Sequence, residues 1–549
     1  MKTRAKKQLT VALAQFNLIV GDIAYNTDQI ITLAREAKNR YQADLIIFPE
    51  LTVCGYPPQD LLYRSDFLAA NALAVQHIMQ TVTDITVIIG HPEYQEGQYF
   101  NTLSVLNNGK KVASYHKRKL PNNGVFDEKR YYTAGEHSCV FSLNGHRIGL
   151  SICEDLWTPP VAADLKERGA ELIISINASP FDLMKQQRRR EMIQQRAQET
   201  GLPVIYVANV GGHDDLIYDG GTCVVDKQGH IQQQSPFFEP ALDIIHFDAE
   251  TQCLPSARIA DMPTREESLY KAIRLGLKDY VTKNRFTQVV LGVSGGIDSA
   301  LVLALAVDAL GAENVHALIL PSRYTAAISL EDGKNLCHAL NVKYTELSIE
   351  PCFNALLTEL APVFEGYASD ITEQNLQARC RGILLMAYAN KTGAMLLSTG
   401  NKSEIAVGYC TLYGDMAGGY APIKDIYKMD VYALCRYRNH ISPVIPERII
   451  ERAPSAELAF DQRDQDNLPP YPVLDAILYA FIEEDLSIDA IVGQGFQRSV
   501  VEQVIGLVQH SEHKRRQGPV GPKLSIRAFY KERRYPLTCG SWWKPLYTT

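Results

Sequence analysis

The sequence predicts an α/β fold in two domains, and three observations lead there. The chain has 549 residues, about twice the roughly 250–300 at which a single hydrophobic core stops growing. Short apolar runs rich in β-branched residues alternate with longer helical stretches in both halves. Half-way along, the string VSGGIDSA (293–300) joins an apolar strand, QVVLG, to an apolar helix, ALVLALAVDALG.

The first strand is LTVALAQF (9–16). Its apolar run is short, and Gln15, Asn17 and Asp22 follow at once, so the basic start MKTRAKK reads as the entry to a domain and not as a secretion signal. Further strands are ADLIIFPE (43–50), TVIIGH (86–91), NTLSVLN (101–107), RIGLSIC (147–153), ELIISIN (171–177) and PVIYVAN (203–209). Many are apolar on both faces, as strands buried between layers are. NTDQIITLAREAKNRY is a helix between the first two. Polar side chains gather where strands stop: Glu50, Cys153 with Glu154 and Asp155, and Ser179. Strand ends are where an α/β fold presents its chemistry.

Between 246 and 265 the pattern weakens into a linker with two prolines. The predicted domains are therefore 1–245 and 266–549. The helix SLYKAIRLGLKDYVTKNR leads into QVVLG, and the strands NVHALILPS and NVKYTELSI follow with a helix between them. This is the pattern of a doubly wound parallel sheet with VSGGIDSA at its first strand-to-helix turn. LPPYPVLD (468–475) reads as an ordered loop.

Composition excludes several classes. A net charge of −7 argues against nucleic-acid binding, which favours a basic excess. The basic runs KKQ, RRR (188–190) and HKRR (513–516) read as solvated faces or helix ends. No apolar run reaches the roughly 18 residues of a membrane span. The 11 cysteines are scattered without a CxxC pair, which fits a cytoplasmic enzyme in a reducing compartment.

VSGGIDSA has the parts of a phosphate loop. Gly295 and Gly296 allow close backbone approach, Ser294 and Ser299 add hydroxyls, and the following helix offers its N-terminal amides. Asp298 repels phosphate but can hold Mg²⁺. The lysine of a Walker loop is missing, which suits gripping a pyrophosphate that leaves whole after α–β cleavage. The motif SGGxDS resembles the N-type ATP pyrophosphatases. Within that group LLSTGNKSEIAVGYCTLYGDMAGGYAPIKDIYK (396–428) is similar to the NAD synthetases.

That resemblance, over 266–549, implies an adenine nucleotide alpha hydrolase-like fold. It implies ATP at Gly292, Val293, Ser294, Gly295, Gly296, Ile297, Asp298 and Ser299, with Thr399 and Lys428. It places Mg²⁺ on Asp298 and Glu404. It places deamido-NAD on Asn375 and Arg379 of NLQARCRG, on Glu404 and on Lys514. Asp415 is read either as a substrate or metal contact or as a turn residue. Ser455 is a further ATP candidate.

In the first half, Cys153 alone would be a small buried hydrophobe. Glu50 at another strand end and Lys117 in YHKRKLPNNGVFDEKRYY change that reading. A thiol, a carboxylate base and a lysine are the working parts of an amide-cleaving site. Glu50 would take the thiol proton, Cys153 attack the amide carbon, and Lys117 stabilise the oxyanion.

These segments resemble the nitrilase superfamily over residues 9–245, which implies an α-β-β-α sandwich. Glu128 matches the second glutamate that many members place beside the lysine. Lys119 is an alternative to Lys117, but the spacing YxKxxLP favours Lys117.

The two halves together resemble the glutamine-dependent NAD⁺ synthetase family. The resemblance implies ammonia release from glutamine through a Cys153 thioester, then ATP-dependent amidation of deamido-NAD⁺, by a homo-oligomer. It implies a glutamine pocket with Ser179, Lys185 and position 123. There the family's usual LPNYGVFDE reads LPNNGVFDE, so Asn123 replaces a glutamine-contacting tyrosine and an altered glutamine affinity is expected.

Two enzymatic alternatives stay open: another glutamine-dependent amidoligase and a tRNA-modifying enzyme. Asparagine synthetase is disfavoured, because Lys2 stands where it has its cysteine. A degenerate glutaminase acting as a scaffold finds no support while Glu50, Lys117 and Cys153 are all present.

Overall fold

The computed structural model describes residues 8–248, 254, 257–460, 462–540 and 542. It divides into two compact units, Met1–Pro263 and Thr264–Thr549. The linker expected at 246–265 lies partly outside the described residues.

The first unit stacks two six-stranded sheets. One runs Ala241–Phe247, Leu9–Gln15, Leu45–Ile47, Thr86–Gln95, Gln98–Asn107, Lys110–His116. The other runs Ile231–Gln234, Cys223–Val225, Val204–Ala208, Leu172–Asn177, His146–Ile152, Cys139–Leu143. Strand side chains alternate between faces, and the apolar runs use both. Val11, Leu13, Ile47 and Ile88 pack against Ile148, Leu150, Ile174 and Val207 between the sheets. Ala12, Ala14, Ile46 and Val87 face outward onto Ile30 and Ala34 of the helix Ile23–Tyr41 and Ile78 of the helix Ser65–Thr81. On the other side Ile173, Val204 and Tyr206 pack on Leu165, Met192 and Ile193, from the helices Pro159–Glu167 and Lys185–Thr200. The result is an α-β-β-α sandwich.

The strands Lys110–His116 and Cys139–Leu143 are not evident from sequence. Each ends its sheet, and a half-polar edge such as KKVASYH gives a weak apolar signal. In the run RRR, expected on a solvated face or helix end, Arg188 is exposed but Arg189 departs from that expectation: it is buried and forms a two-pronged pair with Asp219, at 3.0 and 2.7 Å. Arg515 of HKRR is buried as well, held by Glu512 and by the carbonyls of Ala406 and Val508. Burial of a guanidinium is tolerated here because each has a matched acceptor.

The second unit is built on a four-stranded parallel sheet in the order Lys343–Glu346, Val315–Ile319, Val289–Gly292, Met395–Leu397. From Val289–Gly292 the chain first adds strands on one side and then crosses to the other. That strand is the switch point of the sheet, where such folds open a crevice. One face is covered by Phe353, Cys380 and Ala389 of the helices Glu350–Leu360 and Ile371–Thr392. The helix Ile297–Leu310 follows the central strand and packs on Arg265–Lys283 and Lys428–Ile441. LPPYPVLD is not wholly a loop: a helix, Tyr471–Ile482, opens inside it with proline in its first turn. Proline at that place lacks only an N–H that would have no helical acceptor.

Candidate active sites

In the first unit three strand ends meet. Glu50 follows Leu45–Ile47 and Lys117 follows Lys110–His116, both in one sheet. Cys153 follows His146–Ile152 in the other and opens the tight turn Cys153–Leu156. Its φ of 45° lies in the left-handed region that non-glycine residues enter at a cost.

The Lys117 ammonium donates to Glu50 Oε1 at 2.7 Å and to Glu128 Oε1 at 2.7 Å. Glu50 also accepts from Asn101 Nδ2 at 2.7 Å and from the Ala178 N–H at 2.9 Å. Glu128 accepts in addition from the Tyr56 hydroxyl at 2.8 Å. Glu50, Lys117, Cys153 and Glu128 are all 4% exposed or less, so two carboxylates and one ammonium share a site shielded from water.

Burial pushes the Glu128 carboxyl up to about 7, although Lys117 pulls it back. Burial works against the Lys117 charge, but Glu128 and Glu50 outweigh it and hold its pKa well above the usual lysine range. The Cys153 thiol is pushed well above its ordinary value by burial first and then by Glu50. It therefore rests protonated, and attack needs a base to take that proton.

Ser179 is buried beside Ala178, whose N–H holds Glu50. Lys185 begins the helix Lys185–Thr200 and lies 4.5 Å from the Trp157 ring centre. Burial lowers its pKa, with Cys153 and Glu154 among the charges opposing that. Asn123 sits in an exposed turn between Lys117 and Glu128, its carbonyl accepting from the Phe126 N–H at 3.0 Å. Lys119 offers its backbone N–H to Asp155 at 2.8 Å, so Lys117 is the lysine whose ammonium meets both glutamates.

In the second unit the loop 292–299 and residues Thr399, Glu404, Asp415, Lys428 and Ser455 line one cavity of about 320 Å³. Gly295 has φ +82°, and a Cβ there would fall 2.2 Å from the Ser329 carbonyl oxygen, so only glycine fits. The loop is braced by its own serines: Ser294 Oγ accepts from the Gly296 N–H at 3.2 Å, and Ser299 Oγ donates to the Gly296 carbonyl at 3.0 Å.

Beside the loop Lys428 Nζ donates to Asp298 Oδ2 at 2.5 Å and to Glu404 Oε1 at 3.0 Å. Burial raises Glu404 to about 7, against the pull of Lys428. Two hard carboxylate oxygens thus converge at the cavity. Among the described residues no group of three or more His, Cys, Asp or Glu is placed to hold a metal. The pair fits Mg²⁺, which often takes one or two carboxylates and completes its shell with phosphate and water.

Asn375, Arg379 and Lys514 fall elsewhere, gripping the chain at 408–412 beside the cavity. Asn375 Oδ1 accepts from Thr411 Oγ1 at 2.9 Å, and Arg379 Nε donates to the Leu412 carbonyl at 3.2 Å. Lys514 Nζ donates to the carbonyls of Gly408 and Cys410 at 2.8 and 2.9 Å. Asp415 does close a turn, accepting from the Thr411 N–H at 2.7 Å, and it also lines the cavity, with burial raising it to about 6. Ser455 Oγ donates to the Gln462 carbonyl at 2.5 Å.

Two side chains escape the sequence reading. Arg381 lines the cavity and donates to the Leu320 carbonyl at 3.0 Å; it stands two positions after Arg379 in NLQARCRG. Asn401 donates to Asp298 Oδ1 at 2.8 Å and caps the helix Lys402–Val407 by accepting from the Glu404 N–H at 3.0 Å. An Asn three residues before a Glu is a helix-start signal and is legible as one.

Comparison with known proteins agrees in both halves. The carbon-nitrogen hydrolase family matches residues 10–252, and the NAD synthase family matches 269–518. A glutamine-dependent NAD(+) synthetase from Xanthomonas campestris pv. campestris is 46% identical over 538 residues, covering 97% of this chain and 98% of its own.

The chain belongs to the glutamine-dependent NAD⁺ synthetase family. A second member, from Acinetobacter baylyi, is 45% identical over 98% of this chain and 99% of its own. A solved member of the family, from Acinetobacter baumannii in complex with ADP, matches with a TM-score of 0.80 at 44% identity, covering 98% of this chain and 99% of its own. The Cytophaga hutchinsonii member shares the fold, with a TM-score of 0.85 at 23% identity over 97% of this chain and 98% of its own. No described helix is long and apolar enough to cross a membrane.

Proposed function

We propose that this chain releases ammonia from L-glutamine in its first unit and uses it in the second to amidate deamido-NAD⁺ to NAD⁺. It is an ATP-dependent ligase. The observation that carries this reading is the presence, in one chain, of a buried Glu–Lys–Cys cluster and a glycine-loop cavity. Family membership favours it over another amidoligase or a tRNA-modifying enzyme.

Glu50 takes the Cys153 proton as Sγ attacks the glutamine amide carbon, and Lys117 faces the oxyanion. The tetrahedral intermediate expels ammonia, with the proton returned from Glu50, and leaves a γ-glutamyl thioester. Glu50 then draws a proton from water, the hydroxyl oxygen replaces sulfur to give glutamate, and Glu50 returns the proton to the departing Cys153 Sγ. Glu128, itself bonded by the Tyr56 hydroxyl, holds Lys117 in place throughout. Ser179, Lys185 and Asn123 are assigned to the glutamine pocket.

In the second unit the carboxylate of deamido-NAD⁺ attacks the α-phosphorus of ATP and pyrophosphate leaves. Ammonia then displaces AMP from the acyl adenylate. Gly292 through Ser299, with Thr399 and Lys428, bind the nucleotide, and the glycine-loop amides meet the departing pyrophosphate. Asp298 and Glu404 hold Mg²⁺, which when bound neutralises phosphate charge. Asn375, Arg379, Glu404 and Lys514 belong to the deamido-NAD subsite, three of them by fixing 408–412. We place domain borders at 245 and 266 and expect a cytoplasmic homo-oligomer; the free cysteines suit a reducing compartment.

The test is NAD⁺ formation from deamido-NAD⁺ and ATP–Mg²⁺ with either glutamine or ammonium. Product from both, with AMP released, is the expected result. Product from neither overturns the reading.

A further inference from the structure

We infer that Asp155 is a positioning residue for the glutaminase reaction: it straps the sheet bearing Cys153 to the sheet bearing Lys117. This rests on the proposed thiol chemistry. Both carboxylate oxygens of Asp155 are fully used. Oδ1 accepts from the backbone N–H groups of Arg118 and Lys119 at 3.1 and 2.8 Å. Oδ2 accepts from the Tyr115 hydroxyl at 2.7 Å and from the Ile152 N–H at 3.0 Å. Asp155 itself is 0% exposed.

These four donors flank the reacting groups. Tyr115, Arg118 and Lys119 bracket Lys117 at the end of one sheet, and Ile152 immediately precedes Cys153 at the end of the other. The lysine backbone has two further bonds: the Lys117 N–H donates to the Asn101 carbonyl of its own sheet at 2.9 Å, and the Lys117 carbonyl accepts from the Gly135 N–H at 2.8 Å. The nucleophile and its oxyanion partner therefore come from separate layers, and a slide of one sheet on the other would part them. One carboxylate spans that join. A carboxylate accepts at about four lone-pair sites and donates at none, which is what four converging donors require. An amide cannot replace it, because its NH₂ would meet N–H groups head-on.

The test is Asp155→Asn, assayed with glutamine and with ammonium. Misplacement of a reacting group by about 1 Å costs about a hundredfold. We expect glutamine-driven kcat to fall at least about tenfold, with the glutamine KM within about twofold because the hydrogen bonds of Asp155 go to Tyr115, Arg118, Lys119 and Ile152 and to none of the residues assigned to glutamine. Ammonium-driven NAD⁺ formation stays at the wild-type rate. Tyr115→Phe, which removes one bond and no charge, lowers the same kcat by less.

A second readout is the pH midpoint for alkylation of Cys153 by iodoacetamide. It shifts upward in Asp155→Asn as the lysine charge moves off, whereas a mere folding staple would change the melting temperature and leave the midpoint alone. Wild-type kcat in Asp155→Asn overturns the proposal, as does an unmoved midpoint. Should that variant not fold, an unchanged kcat in Tyr115→Phe overturns it. Glutamine-driven synthesis that survives Cys153→Ala would instead overturn the thiol chemistry, whichever way Asp155→Asn falls.

Discussion

Each unit of the molecule sets a lysine between two carboxylates, but the surroundings differ. Lys117 lies 2.7 Å from both Glu50 and Glu128, and those carboxylates spend their other hydrogen bonds on Asn101, Ala178 and Tyr56. These partners are all protein groups in a buried site, and the Lys117 ammonium is the cation shared by both carboxylates. Lys428 bridges Asp298 and Glu404 at 2.5 and 3.0 Å on the wall of a cavity of about 320 Å³. There the carboxylates face space large enough for a nucleotide, and their hard oxygens can pass to a metal. On the proposed function one arrangement, enclosed, serves a thiol; opened to a glycine loop, it serves phosphate.

Substitutions can break that comparison, and the largest effect belongs to the closed site. Lys117→Met leaves Glu50 and Glu128 without their cation and removes the proposed oxyanion partner. Glutamine-driven synthesis falls by about 10²–10³-fold, while ammonium-driven synthesis is retained. Equal loss with both nitrogen sources would refute the separation of the sites.

Gly295→Ala acts on the open one. The methyl group would collide with the Ser329 carbonyl at 2.2 Å and displace the loop, so synthesis falls about a hundredfold with either nitrogen source. Glutamine hydrolysis continues, measured as glutamate released.

The comparison sharpens with pH. Glu128 is held at about 7 by burial, against an ordinary 4.5, so the folded chain keeps a proton that the unfolded chain releases. The stability it contributes is present below about pH 4.5 and is lost as pH rises to about 7. Glu128→Gln is neutral throughout, so its melting temperature falls less steeply across that window. Identical slopes would place the carboxyl elsewhere on the pH scale.

The smallest effect is at position 123. Asn123→Tyr supplies the tyrosine expected from the family resemblance and lowers the glutamine KM by a few-fold, the worth of about one hydrogen bond, with ammonium kinetics unchanged. A raised KM would remove position 123 from the glutamine pocket.

What can be read from sequence follows from range. VSGGIDSA and STGNKSE are local strings, and each is folded as a single strand-to-helix turn, so residue type and spacing announce the chemistry. Glu50, Lys117 and Cys153 are legible as separate strand ends. The strap at Asp155 is not, because its partners Tyr115, Arg118 and Lys119 lie 40, 37 and 36 residues away. Arg189 is hidden for the same reason, since Asp219 is 30 residues off and a charge run carries no sign of it. Edge strands such as Lys110–His116 are masked by polar alternation, although Lys117 depends on one.

The division of labour between the two lysine centres is tested most directly by isotope. Wild-type and Cys153→Ala proteins are given deamido-NAD⁺, ATP–Mg²⁺, glutamine labelled with ¹⁵N in its amide, and unlabelled ammonium. Wild-type NAD⁺ should carry the label, and Cys153→Ala should form NAD⁺ from ammonium alone, without label. Labelled NAD⁺ from Cys153→Ala would contradict the account.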